Sequence, residues 1–156
     1  MNMMDIPAGW EKLDSDGRFD HIDTHFTEHV GPVFVRGAEG ARQIAFRVEP
    51  HMCNPAGICH GGMLMTVMDV GLGFALHNAL GGIRFTPTIS LNFDFLSPGK
   101  LGDFLVCEGV ATRHTKNTGF VSGQLIGSDG PVLNGSGIFK ITDIGVGGLG
   151  IPDRPR

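Results

Sequence analysis

The polar and apolar positions fall into distinct regimes along the chain. Residues 1–30 are mostly polar and follow no period. Residues 32–36 (Pro-Val-Phe-Val-Arg) and 43–48 (Gln-Ile-Ala-Phe-Arg-Val) then alternate, with Gly37 and Gly40 marking a turn between them. A period of two places successive side chains on opposite faces of a strand. Residues 50–60 form a loop rich in Pro, Gly and Asn. Residues 61–80 carry apolar side chains on every helical face, so this helix must be buried on most sides. After Gly81 and Gly82 the period of two returns, predicting strands over 88–96, 104–112, 119–126 and 132–141. Residues 113–118 read as one connection and Ser128-Asp129-Gly130 as a hairpin turn. Two strands, a long helix and four strands predict an α+β domain over residues 31–142, an antiparallel sheet of about six strands around one central helix. Residues 143–156, rich in Gly and Pro, read as a disordered tail.

Composition narrows what such a domain can do. With 12 Lys plus Arg against 16 Asp plus Glu, the net charge of −4 leaves no dense basic face for nucleic acid. Hydrophobic residues make up 41%, enough for a packed core, yet no run of about 18 uncharged apolar residues predicts a membrane span. The N-terminus lacks the basic-then-apolar order of a secretory signal, and three cysteines cannot all pair. Reduced thiols in a soluble, cytoplasmic domain are the expectation. His21, His25 and His29 recur every four residues and would share a helical face, but no second ligand cluster accompanies them, so a solvated helix or loop is expected.

The helix holds the candidate chemistry. Asp69 is the one ionisable group inside its apolar stretch before His77, and Asp is almost never buried without a partner. Either local hydroxyls such as Thr66 satisfy it, or it is a carboxylate kept for chemistry, its pKa open to tuning by desolvation. Gly71 and Gly73 each cost a helix about 1 kcal/mol against Ala, which points to close approach of the sheet or of a partner helix. Gly61 and Gly62 open the helix and leave backbone N–H groups uncovered at its positive end, a place suited to an anion or to a developing oxyanion. Glycine needed only for its dihedrals would read the same way.

Asn54-x2-Gly57-x2-His60-Gly61-Gly62, with Asp69 nine residues after the His, resembles the signature of hotdog-fold acyl-CoA thioesterases, in particular the phenylacetate-degradation type. The stretch 96–103, Leu-Ser-Pro-Gly-Lys-Leu-Gly-Asp, is similar to that family's turn after the third strand, and the likeness spans about residues 31–142. The resemblance implies a hotdog sheet around one helix, paired into dimers and commonly tetramers. It implies that Gly61 donates its N–H to the thioester oxygen, that Asn54 orients water or carbonyl beside His60, and that Asp69 is general base or nucleophile. A hydroxyl at Thr88 would hold the water. Coenzyme A, part of the substrate and not a cofactor, would meet Arg113, His114, Thr115, Lys116, Asn117 and Thr118, with Gly62, Ser90, Ser97, Pro98, Gly99 and Lys100 as further contacts and Arg84 as another candidate. Met63, Met65, Met68, Leu72 and Phe74 are expected to line the acyl tunnel.

Spacing adds a geometric point. Gly61 and Asp69 are eight residues apart on one helix, about 12 Å along its axis. Groups acting on one carbonyl carbon must lie within about 3.5 Å of it, so one chain cannot supply both, and a site shared across a two-fold axis is expected. The same residues admit other chemistries. His51, Cys53, Cys59 and His60 suggest zinc, but Cys-x5-Cys is longer than usual ligand spacing. Cys59 near a helix N-terminus is a candidate nucleophile. An enoyl-thioester hydratase and a non-catalytic acyl-CoA binder remain as alternative functions.

Overall fold

The computed structural model describes residues 6–13 and 24–143. Seven antiparallel strands form one sheet: β1 (Glu11–Lys12), β2 (Val33–Arg36), β3 (Gln43–Arg47), β4 (Thr88–Phe95), β5 (Phe104–His114), β6 (Thr118–Gly127) and β7 (Gly130–Lys140). Their spatial order is β1-β2-β3-β5-β6-β7-β4. Helices α1 (Thr24–Val30) and α2 (Gly61–Leu80) complete the domain, with a single 3₁₀ turn at Pro50–Met52.

The sheet packs against α2, as the all-round apolar pattern requires. Val67, Met68, Leu72 and Leu76 are inaccessible, packed with Ile44, Phe46, Leu105, Leu125 and Leu133 of the strands. By length and apolarity alone α2 would pass for a membrane span, yet over half of it is buried inside this fold. It ends at Gly81, whose φ of +69° gives the left-handed cap that closes a helix at little cost only with glycine. The two internal glycines divide. A Cβ on Gly71 would fall on the Cys107 thiol of β5, so this residue admits the sheet; around Gly73 the space is open among the described residues.

Three expectations are corrected. The sheet has seven strands because Glu11 and Lys12 pair with Val35 and Phe34, adding an edge strand within the supposed polar extension. Leu13 follows into the core, and Trp10 lies edge-on to Phe104, 5.4 Å between rings, with Arg36 stacked on it at 4.5 Å. Two residues carry no period to read; the open edge of β2 recruits them. The connection expected over 113–118 shrinks to 115–117, since Arg113 and His114 still pair with Phe120 and Gly119 through backbone groups that exposed polar side chains do not disturb. The last hairpin turns on Ser128 and Asp129 between paired Gly127 and Gly130, so β7 begins before residue 132. His21 and the tail beyond residue 143 lie outside the described residues, whereas positions 25 and 29 fall within α1.

Candidate active site

The start of α2 is built by the loop before it. Asn54 Oδ1 accepts the N–H groups of Ala56 (3.0 Å) and Ile58 (3.4 Å), while its backbone N–H donates to the Ile58 carbonyl (2.9 Å). The loop returns beside itself, the Cys59 N–H donating to Gly99 O and that of His60 to Met52 O, each at 2.8 Å. Gly99 is buried there, and a Cβ on it would press on Cys59 at 3.0 Å. Asn54 thus spends its oxygen on the turn, leaving its half-buried amide NH2 as the group for other use.

His60 is the N-cap, extended at φ −61° and ψ 136°. Its Nδ1 accepts the Gly62 N–H at 2.9 Å, which leaves the neutral ring's proton on the exposed Nε2. The His60 carbonyl takes the N–H groups of Met63 and Leu64. Of these first donors, the Gly61 N–H alone has no partner among the described residues. It lies at the positive end of a 20-residue helix. Both positions are crowded for a side chain: a Cβ at 61 would meet the Phe95 ring at 3.1 Å, and one at 62 the His60 ring at 3.1 Å, so each ring would have to yield a few tenths of an ångström.

Asp69 stands midway along α2, half-buried. Thr88 donates its hydroxyl to Asp69 Oδ1 at 2.9 Å. Burial holds the carboxyl above its usual range, and the Thr88 hydrogen bond offsets part of that rise by favouring the ionised form. No Lys or Arg pairs with it among the described residues. Thr66, the expected local partner, instead bonds back to the Gly62 carbonyl at 2.9 Å. Thr88 reaches Asp69 from the start of β4, where the register with β7 shifts between Thr88 and Ser90. Such a bulge inserts an extra residue, here Ile89, and re-aims its neighbours.

The other expected residues separate into groups. Ser97 donates to the Pro131 carbonyl at 2.8 Å, Pro98 is exposed, and Lys100 is ion-paired with Asp129, so this turn is occupied by its own contacts. Ser90 is an exposed β4 residue opposite Ile138. Arg113 is exposed on β5, and the Thr115 hydroxyl takes the N–H groups of Asn117 (3.3 Å) and Thr118 (3.1 Å) to close its turn. Arg84, His114, Thr115 and Lys116 do meet, lining a cleft of about 480 Å³ with Ala79 and Leu80 at the far end of α2. Of the expected tunnel residues, Met68, Leu72 and Phe74 belong to the core beneath the sheet, and Met65 is exposed; Met63 alone lines a cleft at the helix start.

Two alternatives lose their footing. Burial pushes the Cys59 thiol up to about 12, the opposite of the activation a nucleophile needs. No group of three His, Cys, Asp or Glu stands placed for a metal among the described residues.

Comparison with known proteins bears on the whole chain. The thioesterase superfamily model matches residues 56–133, a span running from the Asn54 turn into β7 and including Gly61, Asp69 and Thr88. The Pseudomonas aeruginosa protein named "Putative esterase PA0474" is 29% identical over 140 residues, covering 89% of this chain and 99% of that one. That length reaches beyond residues 31–142, the limits expected from sequence. The PaaI protein of the Escherichia coli phenylacetic acid degradation operon superposes with a TM-score of 0.68 at 20% identity, over 77% of this chain and 86% of that one. The smu.793 protein of Streptococcus mutans, solved with acetyl-CoA, gives 0.63 at 21% identity over 71% and 89%. These likenesses establish the hotdog fold. A helix opened by paired glycines and sheathed in an antiparallel sheet, within a chain of which half matches the family's own pattern, places this protein in the thioesterase superfamily.

Proposed function

We propose that this protein hydrolyses an acyl-CoA thioester to the free acid and coenzyme A, at sites shared between two copies of the chain. One observation carries the reading: a half-buried carboxylate, Asp69, midway along an apolar helix, with a single hydroxyl partner and no cation among the described residues. A purely structural Asp in such a place would be neutralised by a fixed positive charge. An acid held above its ordinary pKa is a better proton acceptor, which is what a general base requires.

Asp69 takes a proton from water as the oxygen attacks the thioester carbon. The carbonyl oxygen gathers negative charge and is met by the Gly61 N–H, with His60 Nε2–H exposed beside it. The tetrahedral intermediate collapses with cleavage of the C–S bond, and the coenzyme thiolate leaves to be protonated from Asp69 or solvent. No cofactor enters.

Asp69 and Gly61 lie about 12 Å apart along one helix, so two chains must combine. β4 is the free edge of the sheet beside Thr88, and it exposes Ile89 (59%) and Phe95 (55%), the latter against Gly61. A second chain laid antiparallel along this edge would bring each Asp69 toward the other's helix start. Ala79 is ten residues beyond Asp69, about 15 Å along the axis, so the Arg84, His114 and Lys116 cleft is in range of the coenzyme phosphates. Three free thiols support a reducing, cytoplasmic setting. Release of free coenzyme thiol from an acyl-CoA panel tests the reading. A change confined to the acyl chain would mean a hydratase, and binding without either product would mean a non-catalytic acyl-CoA binder.

A further inference from the structure

A cleft of about 540 Å³ opens beside the start of α2. Its apolar walls are Phe26 and Val30 of α1, Met52 of the 3₁₀ turn, and Met63 of α2. That volume is in the range of small-molecule sites, about 300–1,000 Å³. Methionine walls adapt to irregular apolar shapes. His60 and Gly62 line the cleft as well, and in sequence they flank Gly61, whose N–H has no partner among the described residues.

The α1 wall is fastened in place. His51 Nε2 lies 3.0 Å from the Gly31 carbonyl and 3.3 Å from that of Val30, so the ring clamps the end of α1 onto the 3₁₀ turn. Thr27 is buried, and its carbonyl accepts the Gly31 N–H at 2.8 Å. Phe26, by contrast, remains 55% exposed, an aromatic ring lining an open cleft.

A thioester whose oxygen meets Gly61 N–H extends in two directions, acyl one way and coenzyme the other. Phosphates need cations, and among the described residues the cleft at the helix start is lined by no Lys or Arg, only by the imidazoles of His29, His51 and His60 as titratable bases. The cations gather instead at the opposite end of α2. We infer that the cleft between α1 and the start of α2 is the acyl subsite, that it takes an uncharged aryl or aliphatic acyl group, and that Phe26 is a specificity-determining residue. This rests on the thioesterase reading and gives the N-terminal helix a function.

The test is steady-state turnover of acetyl-, hexanoyl- and phenylacetyl-CoA by the full chain and by Phe26→Ala, together with binding of a non-hydrolysable hexyl-CoA thioether. Phe26 is exposed, so its loss should leave folding intact. For Phe26→Ala, kcat/KM should fall roughly tenfold on the two longer acyl groups and less than about twofold on acetyl-CoA, with inhibition by free coenzyme A unchanged. Thioether affinity should fall in parallel. Equal losses on all three substrates, or none, would overturn the subsite while leaving hydrolysis standing. If the native chain releases no thiol yet Phe26→Ala still weakens thioether binding, hydrolysis fails and the subsite survives.

Discussion

At the scale of single residues, the proposed mechanism turns on how one carboxylate is kept reactive. Asp69 is held above its ordinary pKa mainly by burial, and Thr88 is the group that pulls it down. Removing that hydroxyl in Thr88→Val leaves the ionised form without its hydrogen bond. The acid limb of kcat/KM should then move to higher pH, as a pH–rate profile would record, and the rate at neutral pH should drop about tenfold. Asp69→Asn keeps an acceptor for Thr88 but no base, and turnover should fall by about 10² to 10⁴. Its effect on stability has the opposite sign. A carboxyl whose folded pKa lies above its unfolded value favours the fold when protonated and loses that contribution as pH rises past the folded value. The neutral amide escapes this penalty, so thermal melts at pH 7 should show Asp69→Asn at least as stable as the native chain. Cys59 offers a contrast: with its thiol near 12, only about one molecule in 10⁵ is thiolate at pH 7. Cys59→Ala should keep kcat within a few-fold while costing about 1 kcal/mol of stability; a dead enzyme that still folds would return the thiol to the mechanism.

At the scale of elements, α2 separates a glycine that serves the fold from one whose space is open. Gly71→Ala drives a methyl onto Cys107, and denaturant titration should show a loss of about 1–3 kcal/mol, relieved in part by Cys107→Ala. Gly73→Ala meets nothing within the described chain, so helix propensity alone predicts a gain approaching 1 kcal/mol. A loss there would reveal a partner seated against that face. The helix and its sheet were legible because apolar residues on every face leave a chain little choice but to wrap them, and 88–95 alternates without interruption. The glycine pair at the helix start was legible too, since two residues lacking side chains at a positive helix end have few uses. The Thr88–Asp69 bond was harder: 19 residues separate them, and their meeting depends on a bulge at Ile89 that no period announces. β1 was invisible because two residues make no pattern and its register is dictated by β2. Which apolar residues of α2 face the core and which a cleft was not legible for a related reason, since on a buried helix they read alike.

At the scale of the whole molecule, the proposed mechanism gives a single chain two half-sites at different heights on one helix, Gly61 at its tip and Asp69 at its middle. A free β4 edge carrying exposed Ile89 and Phe95 lies beside both. The account therefore predicts a dimer in solution and an enzyme whose halves can be exchanged. The most direct measurement mixes two inactive chains, Asp69→Asn and Gly61→Pro, after joint refolding. Proline suits the first helical position while removing the N–H in question, and Gly61→Ala, which crowds Phe95 but keeps that N–H, serves as its control. Statistical mixing makes half the dimers hybrid, each with one of its two sites intact, so about a quarter of native turnover should return. A mixture no more active than its two components would show that each chain works alone, and the shared site would be wrong.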